Sequence, residues 1–187
     1  MARRVLGLIP MVAFFERFMG ALSLDPSIYE NVEADRRAGM QSVIVVLAAC
    51  LAGGVAAMGL GLVGWTGFIT GAIVVMGAWL VWVGIISTVG TIALAEPETH
   101  SDARELLRVL GYAAAPGVFL ALAAIRPAAP FVFALVAIWM IAAAVVAVRQ
   151  ALDYHTYARA VAVCAISWLL SFGILALIAM FFSRPVS

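Results

Sequence analysis

The residues best suited to chemistry in this sequence lie close together, at Arg149, Gln150, Asp153, Tyr154 and His155. Arg149 and Asp153 are four residues apart, a spacing that allows an ion pair on one face of a helix. The imidazole side chain of His155 is of a kind that can accept a proton or bind a metal ion. It has no second histidine and no carboxylate with metal-ligand spacing beside it, and a histidine in a loop is usually solvated. We therefore predict a polar surface cluster here and no metal site.

The rest of the sequence offers no recognisable catalytic apparatus. It contains no serine, histidine and acid constellation, no glycine-rich phosphate loop and no zinc-protease motif. With a net charge of +1, the chain also lacks the strongly basic character of a nucleic-acid-binding protein. We predict no catalytic residues, no cofactor and no nucleic-acid partner. An enzyme acting through His155 or Asp153 ranks third, behind two non-enzymatic hypotheses.

The composition requires lipid as the solvent. Hydrophobic residues make up 66% of the chain and charged residues 11%, and the mean hydropathy is +1.14, whereas soluble domains are about half apolar and about a quarter charged. Backbone amides in hydrocarbon must be paired within their own segment, so apolar stretches of about 20 residues are predicted to be membrane-spanning helices. The chain has five such stretches without acidic or basic residues, at about 40–60, 65–95, 109–125, 131–148 and 160–182.

These stretches predict an all-α, polytopic membrane domain over residues 39–183. The second stretch is longer than one crossing needs, so it should either tilt or begin with an irregular segment around Gly64 to Gly67, and we favour the irregular segment. Nine of the eleven arginines precede the first stretch or lie in the second or fourth connection, whereas Arg126 and Arg184 lie on the other side. Basic residues in short loops are held in the cytoplasm, so we predict a cytoplasmic amino terminus and an external carboxyl terminus.

Residues 1–38 are predicted to be cytoplasmic and to include an amphipathic helix. Pro10 is expected to kink or interrupt this helix. The helix can lie in the membrane interface or pack against the inner face of the bundle, and the sequence leaves both arrangements open. Arg4 and Arg17 lie off its apolar stripe, whose residues recur at helical spacing: Val5, Leu8, Val12, Phe15, Met19 and Leu22.

Small residues at four-residue spacing predict close helix packing. Packing within the chain is favoured over a contact between two copies, and both interpretations are structural rather than catalytic. The residues are Ala49, Gly53, Ala57 and Gly61 in the first stretch, with Gly67 and Gly71 in the second.

The connection from Glu96 to the third stretch carries a helix start signal. Asp102 can cap the helix, with Glu105 three residues later completing a capping box. Arg104 and Arg108, four residues apart, can face lipid headgroups or a partner, although charged residues in loops are most often only solvated.

Gly111, Tyr112 and Pro116 distinguish the third stretch. Pro116 has no N–H to donate to the carbonyl of Tyr112, so the helix should bend there, next to an aromatic hydroxyl near the cytoplasmic surface. A packing kink with an interfacial tyrosine is the simpler interpretation. A pathway between helices at this bend is the alternative.

Several of these segments resemble bacterial members of the Yip family of integral membrane proteins. They are residues 24–30 with 33–35, the run 107–117 with its Gly-Tyr-x-x-x-Pro pattern, and 147–154 with Arg-Gln-Ala-Leu-Asp leading to 159–164. The resemblance implies five spans and a cytoplasmic amino terminus. Eukaryotic members are associated with Rab-type GTPases and carry an Asp-Leu-Tyr-Gly-Pro signature, for which the nearest match here is Asp25 with Tyr29. The rest of that signature differs, so the resemblance does not imply a GTPase partner.

The leading hypothesis is a non-enzymatic scaffold or accessory subunit of the bacterial cytoplasmic membrane. It would contact lipids together with a membrane or cytoplasmic protein, or a second copy of itself. The alternative is a small transporter or lipid-moving protein with a pathway near Pro116, which a wide polar-lined cavity would favour. The candidate interaction residues are Asp25, Tyr29, Arg104, Arg108, Gly111, Tyr112, Pro116, Arg149, Gln150 and Asp153.

Overall fold

The computed structural model describes residues 2–95 and 102–182, with side chains from residue 11 onward except at a few positions in 70–74 and beyond 174. The regular structure of this part of the chain is helical throughout. A π-helical stretch, Val89–Ala93, extends α4, a 3₁₀ helix, Ala115–Ala124, extends α5, and a 3₁₀ turn, Arg126–Ala128, precedes α6. The α-helices are α1 (Ala2–Leu22), α2 (Pro26–Ala34), α3 (Ala38–Gly59), α4 (Trp65–Thr88), α5 (Ala103–Ala113), α6 (Ala129–Ala151) and α7 (Tyr157–Phe182).

Five helical segments are long and apolar enough to cross a membrane, which confirms the predicted class. The third is the most enclosed, with 67% of its most apolar window buried against 22–39% for the other four. It therefore forms the centre of the bundle, and the others present more apolar surface outward to lipid. The segments are Ala38–Gly59, Val75–Ala93, Ala103–Ala124, Arg126–Ala151 and Tyr157–Ile174.

The third segment changes its helix type near the proline. α5 ends three residues before Pro116, and the chain continues to Ala124 as a 3₁₀ helix, in which the N–H of Gly117 donates to the carbonyl of Ala114 at 2.9 Å. Because Pro116 cannot donate to the carbonyl of Tyr112, the α-helical pattern cannot continue unbroken. At the position where a bend was expected, the winding changes from α to 3₁₀.

The irregular part of the second segment lies at the opposite end from the one predicted. α4 is regular from Trp65, so the irregular segment expected at 64–67 is wrong. Its continuation winds as a π-helix over Val89–Ala93, where the N–H of Leu94 donates to the carbonyl of Val89 at 2.9 Å. A π-helical turn places one more residue between bonded groups than an α-helical turn, so it takes up part of the excess length.

α1 packs one face against the bundle and exposes another. It continues through Pro10, so the interruption that was one of the two expected effects of this proline is wrong. Phe14, Phe18 and Ala21 face the core. This inward face corresponds to packing on the bundle, and the exposed apolar face is of the kind that lies in a membrane interface. Three residues of the expected stripe are on the exposed face: Val12, Phe15 and Met19.

The turn between α1 and α2 lies about halfway along α6. The indole N–H of Trp139 donates to the carbonyl of Leu22 at 2.9 Å. Trp139 is twelve residues before the end of α6 at Ala151, which is about 18 Å at 1.5 Å per residue. α2 returns from this turn along α5 and α6 with Tyr29 and Val32 fully buried. The two helices thus form a hairpin that covers one half of the bundle's central helices.

Small residues bring α3 against the 3₁₀ helix of the third segment. A methyl group at Gly117 would lie 2.7 Å from the Cβ of Ala49, so this pair leaves no room for a larger side chain. A methyl group at Gly53 would lie 3.8 Å from Leu120, an ordinary van der Waals distance.

The other small residues have different surroundings. Ala57 is half-buried on α3. Gly61 follows the end of α3 with a φ of +76°, a left-handed conformation that glycine adopts without steric cost. Gly67 lies next to Val63 in its own turn. The surroundings of Gly71 lie outside the described side chains.

Candidate functional site

A buried arginine ties the amino-terminal hairpin to the bundle. Arg17 in α1 is 9% exposed, and its guanidinium donates to Asn31 Oδ1 at 3.0 Å, Asp35 Oδ2 at 2.7 Å and Gln41 Oε1 at 3.0 Å. The planar guanidinium can serve several acceptors at once, so one side chain joins α1, α2 and α3. The hydrogen bond from Arg17 is the main reason that the pKa of Asp35 lies below its ordinary value.

Tyr112 extends this network into the third segment. Its side chain is fully buried, and its hydroxyl donates to Gln41 Oε1 at 2.8 Å. The neighbouring Gly111 lets α5 approach α3, because a methyl group there would lie 2.6 Å from the Cβ of Ser42. The Gly-Tyr pair that the sequence singled out therefore lies at a helix contact, where it meets the Arg17 network.

Arg108 joins the start of the third segment to α2. Its Nη2 donates to the carbonyl of Glu33 at 2.6 Å and lies 3.8 Å from Oε1 of Glu105. Its side chain is 11% exposed, and its Nε has no partner among the residues that the structure describes. Burial, together with the charges of Asp153 and Glu105, raises the pKa of Glu33 to about 7, so this carboxyl group titrates near neutral pH.

The polar cluster at 149–155 ends α6. The N–H of Asp153 donates to the carbonyl of Gln150 at 3.2 Å and that of Tyr154 to the carbonyl of Arg149 at 3.0 Å. These are the two bonds of a Schellman motif, with Asp153 in the left-handed conformation at φ +51°. The ion pair expected between Arg149 and Asp153 is not among those of the described residues. The Arg149 guanidinium instead lies 4.5 Å from the ring centroid of Tyr157, in a cation–π contact.

Tyr154 fastens this cluster to the π-helical end of the second segment. Its hydroxyl donates to the carbonyl of Gly90 at 2.7 Å, and a methyl group at Gly90 would lie 3.3 Å from that hydroxyl. Arg159 donates to the carbonyls of Leu94 at 3.3 Å and Ala95 at 3.2 Å. Carbonyls at the end of a helix need such donors, so the fourth connection closes the end of the second segment.

An open polar cavity of about 430 Å³ lies at this helix end. It can bind through hydrogen bonds and charge, as polar parts of protein interfaces do. In the described part of the chain, no three histidine, cysteine or acidic side chains come together in a way that could hold a metal ion. The cavity is lined by Arg149, Gln150, Asp153, Tyr154 and His155.

Asp25 and Tyr29 shape the hairpin. Oδ1 of Asp25 caps α2 by accepting from the N–H of Ser27 at 3.0 Å and from its hydroxyl at 2.8 Å. The Tyr29 hydroxyl donates to the carbonyl of Ala21 at 3.2 Å, and burial raises its pKa. Tyr29 is fully buried and cannot contact a partner directly. It would affect a partner surface only by holding α2 in place.

Asp102 caps α5 as predicted. It forms a capping box with Glu105, whose Oε2 accepts from the N–H of Asp102 at 3.1 Å. Arg104 on the same turn is exposed. The preceding part of the connection, residues 96–101, lies outside the described residues.

Two apolar cavities flank the third segment. One of about 310 Å³ lies between α3 and α4 and reaches Ala114 and Gly117. Pro116 itself is buried. Neither cavity has the polar lining that a hydrophilic pathway near Pro116 would need. The other cavity, of about 480 Å³, is lined in part by Trp79, Trp82 and Trp168.

Four polar residues at the centre of these contacts were not among the candidate interaction residues: Arg17, Asn31, Glu33 and Gln41. The signal for Arg17 was its spacing of three residues from Phe14 and four from Ala21, which puts it on a second apolar face of α1. An arginine on such a face must find acceptors when the face is buried. The other three residues lie on elements that show no comparable pattern.

Together these features define a polytopic α-helical membrane protein, with an enclosed third segment tied to an amino-terminal hairpin by buried polar contacts. A family model described as the Yip1 domain matches residues 19–179. Because that match covers most of the 187 residues, the chain belongs to the Yip1 domain family. No curated protein and no solved structure gave a match to the chain.

Proposed function

We propose that this protein acts as a membrane scaffold or accessory subunit, without catalysis of its own, and binds a protein partner at its polar end. The observation that carries the proposal is the open polar cavity of about 430 Å³ at the end of α6. The Schellman motif and the bond from Tyr154 to Gly90 hold its lining in place. A polar surface held by the backbone loses little conformational entropy when a partner binds.

We infer further that the polar end faces the cytoplasm of a bacterial cell. Nine of the eleven arginines belong to the amino-terminal segment and the second and fourth connections, and such residues are retained on the cytoplasmic side. The amino terminus is then cytoplasmic, the carboxyl terminus is external, and the bundle lies in the cytoplasmic membrane.

Crosslinking in native membranes, followed by purification and mass spectrometry, tests the partner. We expect a protein that is recovered in stoichiometric amount with the wild type and lost with the triple variant Gln150→Ala, Asp153→Asn, His155→Ala. Asparagine at 153 preserves the left-handed conformation, so the helix end should remain intact.

The matched control is Glu30→Gln, which removes an exposed carboxylate from α2, outside the cavity. The control should retain the partner. Recovery of no protein partner with the wild type, or of the same partner with the triple variant, would contradict the proposal.

A further inference from the structure

A groove with one basic end and one apolar end opens between α3, α4 and α5. Its volume is about 460 Å³, within the range of about 300–1,000 Å³ that is usual for ligand sites. Arg36, Arg104 and Arg108 line the basic end. The apolar part is lined mainly by four side chains from α3 and α4: Val43, Val46, Met76 and Leu80.

Among the described residues at the basic end, three arginines outnumber the two acidic groups of the first turn of α5. Arg36 and Arg104 are exposed and form no ion pair with another described residue. The stem of Arg108 lies over Gly39, where a methyl group would be 3.7 Å from its Cδ. Of the acidic groups on this turn, Asp102 caps α5, and Glu105 completes the capping box and lies 3.8 Å from the guanidinium of Arg108.

The start of α3 has an acidic partner of its own. Oδ1 of Asp35 accepts from the N–H of Arg37 at 2.9 Å, and its Oδ2 pairs with Arg17, so the positive charge of the groove comes from its arginines. Nε of Arg108 is a buried donor that has no partner in the described part of the chain. An anion at this end of the groove would meet two exposed guanidinium groups and a buried third.

The apolar part runs away from the arginines along α3. From Gly39 to Val46 is seven residues, or about 10 Å along the helix axis. Val43 is 46% exposed and Leu80 49%, and both belong to membrane-spanning segments. The groove is therefore open sideways, toward the lipid around the bundle.

We propose that this groove binds one anionic phospholipid, with its phosphate at Arg36 and Arg104 and the start of an acyl chain along Val43 and Leu80. Guanidinium groups match phosphate oxygens in charge and in hydrogen-bonding geometry. A free phosphate would use the arginines alone and leave the apolar part of the groove uncovered. The groove shares no lining residue with the polar cavity proposed to bind a protein partner. Lipid binding can therefore be tested with the purified protein alone.

The first experiment measures thermal unfolding of the full chain in a neutral detergent with added phosphatidylglycerol or phosphatidylcholine. A ligand that binds the folded state raises the unfolding midpoint. We expect a larger rise with phosphatidylglycerol, and a loss of at least about half of that difference in Arg36→Gln, Arg104→Gln. The control Arg37→Gln changes an exposed arginine that does not line the groove, and it should keep the difference.

Equal stabilisation by the two lipids in the wild type would overturn the proposal. So would an equal loss in the control and in the double variant, because the effect would then be one of general surface charge.

A second pair of variants tests the acyl-chain part of the groove without changing any charge. Val43→Trp fills the apolar part of the groove, and Leu47→Trp places the same side chain one turn further along α3, with the same 46% exposure and outside the groove. We expect Val43→Trp to reduce the response to phosphatidylglycerol and Leu47→Trp to preserve it. Equal responses in the two variants, or equal stabilisation by inorganic phosphate, would overturn the assignment to a lipid.

Discussion

Gly111 allows the third segment to lie directly against α3. A methyl group at this position would lie 2.6 Å from the Cβ of Ser42 and 3.2 Å from its carbonyl oxygen. We predict that Gly111→Ala lowers the free energy of unfolding by about 1–3 kcal/mol, the usual cost of overpacking a close contact. The measurement is the thermal unfolding midpoint of the purified protein in detergent.

Gly53→Ala is the matched control for this substitution. A methyl group there would lie 3.8 Å from Leu120, and alanine is a better helix former than glycine by about 1 kcal/mol. The control should keep or raise the unfolding midpoint. Adding Ser42→Gly to Gly111→Ala removes the opposing Cβ and should recover part of the loss. An unchanged midpoint in Gly111→Ala would contradict the close contact.

Glu33 is a carboxyl group whose ionisation opposes folding. Burial is the main cause that raises its pKa from 4.5 to about 7, and the charges of Asp153 and Glu105 act in the same direction. Between these two pH values the folded state holds more protons on this group than the unfolded state does. The stability that it contributes therefore falls as the pH rises from about 4.5 to about 7.

We predict that Glu33→Gln raises the unfolding midpoint above that of the wild type at pH 8 and has a smaller effect at pH 5. Melting curves at both pH values provide the measurement. The control is Glu16→Gln, an exposed carboxylate of α1 whose charge is not among those that act on Glu33; it should change the midpoint at pH 8 by less than Glu33→Gln does. Equal effects of Glu33→Gln at the two pH values would argue against the raised pKa.

At the scale of elements, Arg17 determines how firmly the hairpin is attached. Lysine cannot replace it, because an ammonium group lacks the planar fork that reaches Asn31, Asp35 and Gln41 together. We predict that Arg17→Lys speeds amide hydrogen exchange in α1 and α2 more than in the spanning helices. The expected loss of stability is about 1–3 kcal/mol, below the cost of breaking a fully buried pair, because 34% of the Asp35 side chain is exposed.

Arg37→Lys is the control for this prediction, since that side chain is exposed next to the network. It should leave hydrogen exchange of the hairpin unchanged. Wild-type exchange rates in α1 and α2 of Arg17→Lys would show that other contacts hold the hairpin.

The spanning helices could be predicted from the sequence because a bilayer allows little else for long apolar runs. The first predicted stretch, 40–60, corresponds closely to α3 at Ala38–Gly59. The local winding could not be predicted in the same way. The π-helical carbonyl of Gly90 accepts from Tyr154, which lies 64 residues further along the chain, and no local pattern encodes such a contact.

The face of α1 that packs against the bundle could not be predicted from the spacing of its apolar residues. α1 is apolar on two faces, so a helical stripe alone could not distinguish the face with Phe15 from the face with Phe14. The candidate residues at 149–155 were predictable as a polar group. The Schellman motif that separates Arg149 from Asp153 depends on where α6 ends, and helix ends are the least predictable feature of a sequence.

At the scale of the whole molecule, the orientation in the membrane can be tested by labelling. Replacing Cys50 and Cys164, which are both buried, with alanine gives a cysteine-free background. We predict that a membrane-impermeant maleimide labels Pro127→Cys on intact cells, and labels His155→Cys only after the membrane is permeabilised. Nine of the eleven arginines belong to the end that contains His155, and basic residues in short loops are held in the cytoplasm. The reverse pattern would refute the inferred orientation.

Because a 3₁₀ helix is longer per residue than an α-helix, the third segment could accept inserted residues without becoming longer along its axis. The ten residues of the 3₁₀ helix, at 2.0 Å each, rise about 20 Å, and the eleven residues of α5, at 1.5 Å each, rise about 16 Å. The two together exceed the roughly 30 Å of a bilayer core. Rewound as an α-helix, the same 20 Å would hold about 13 residues. Insertions of up to about three residues between Ala115 and Ala124 could therefore be absorbed without lengthening the central helix.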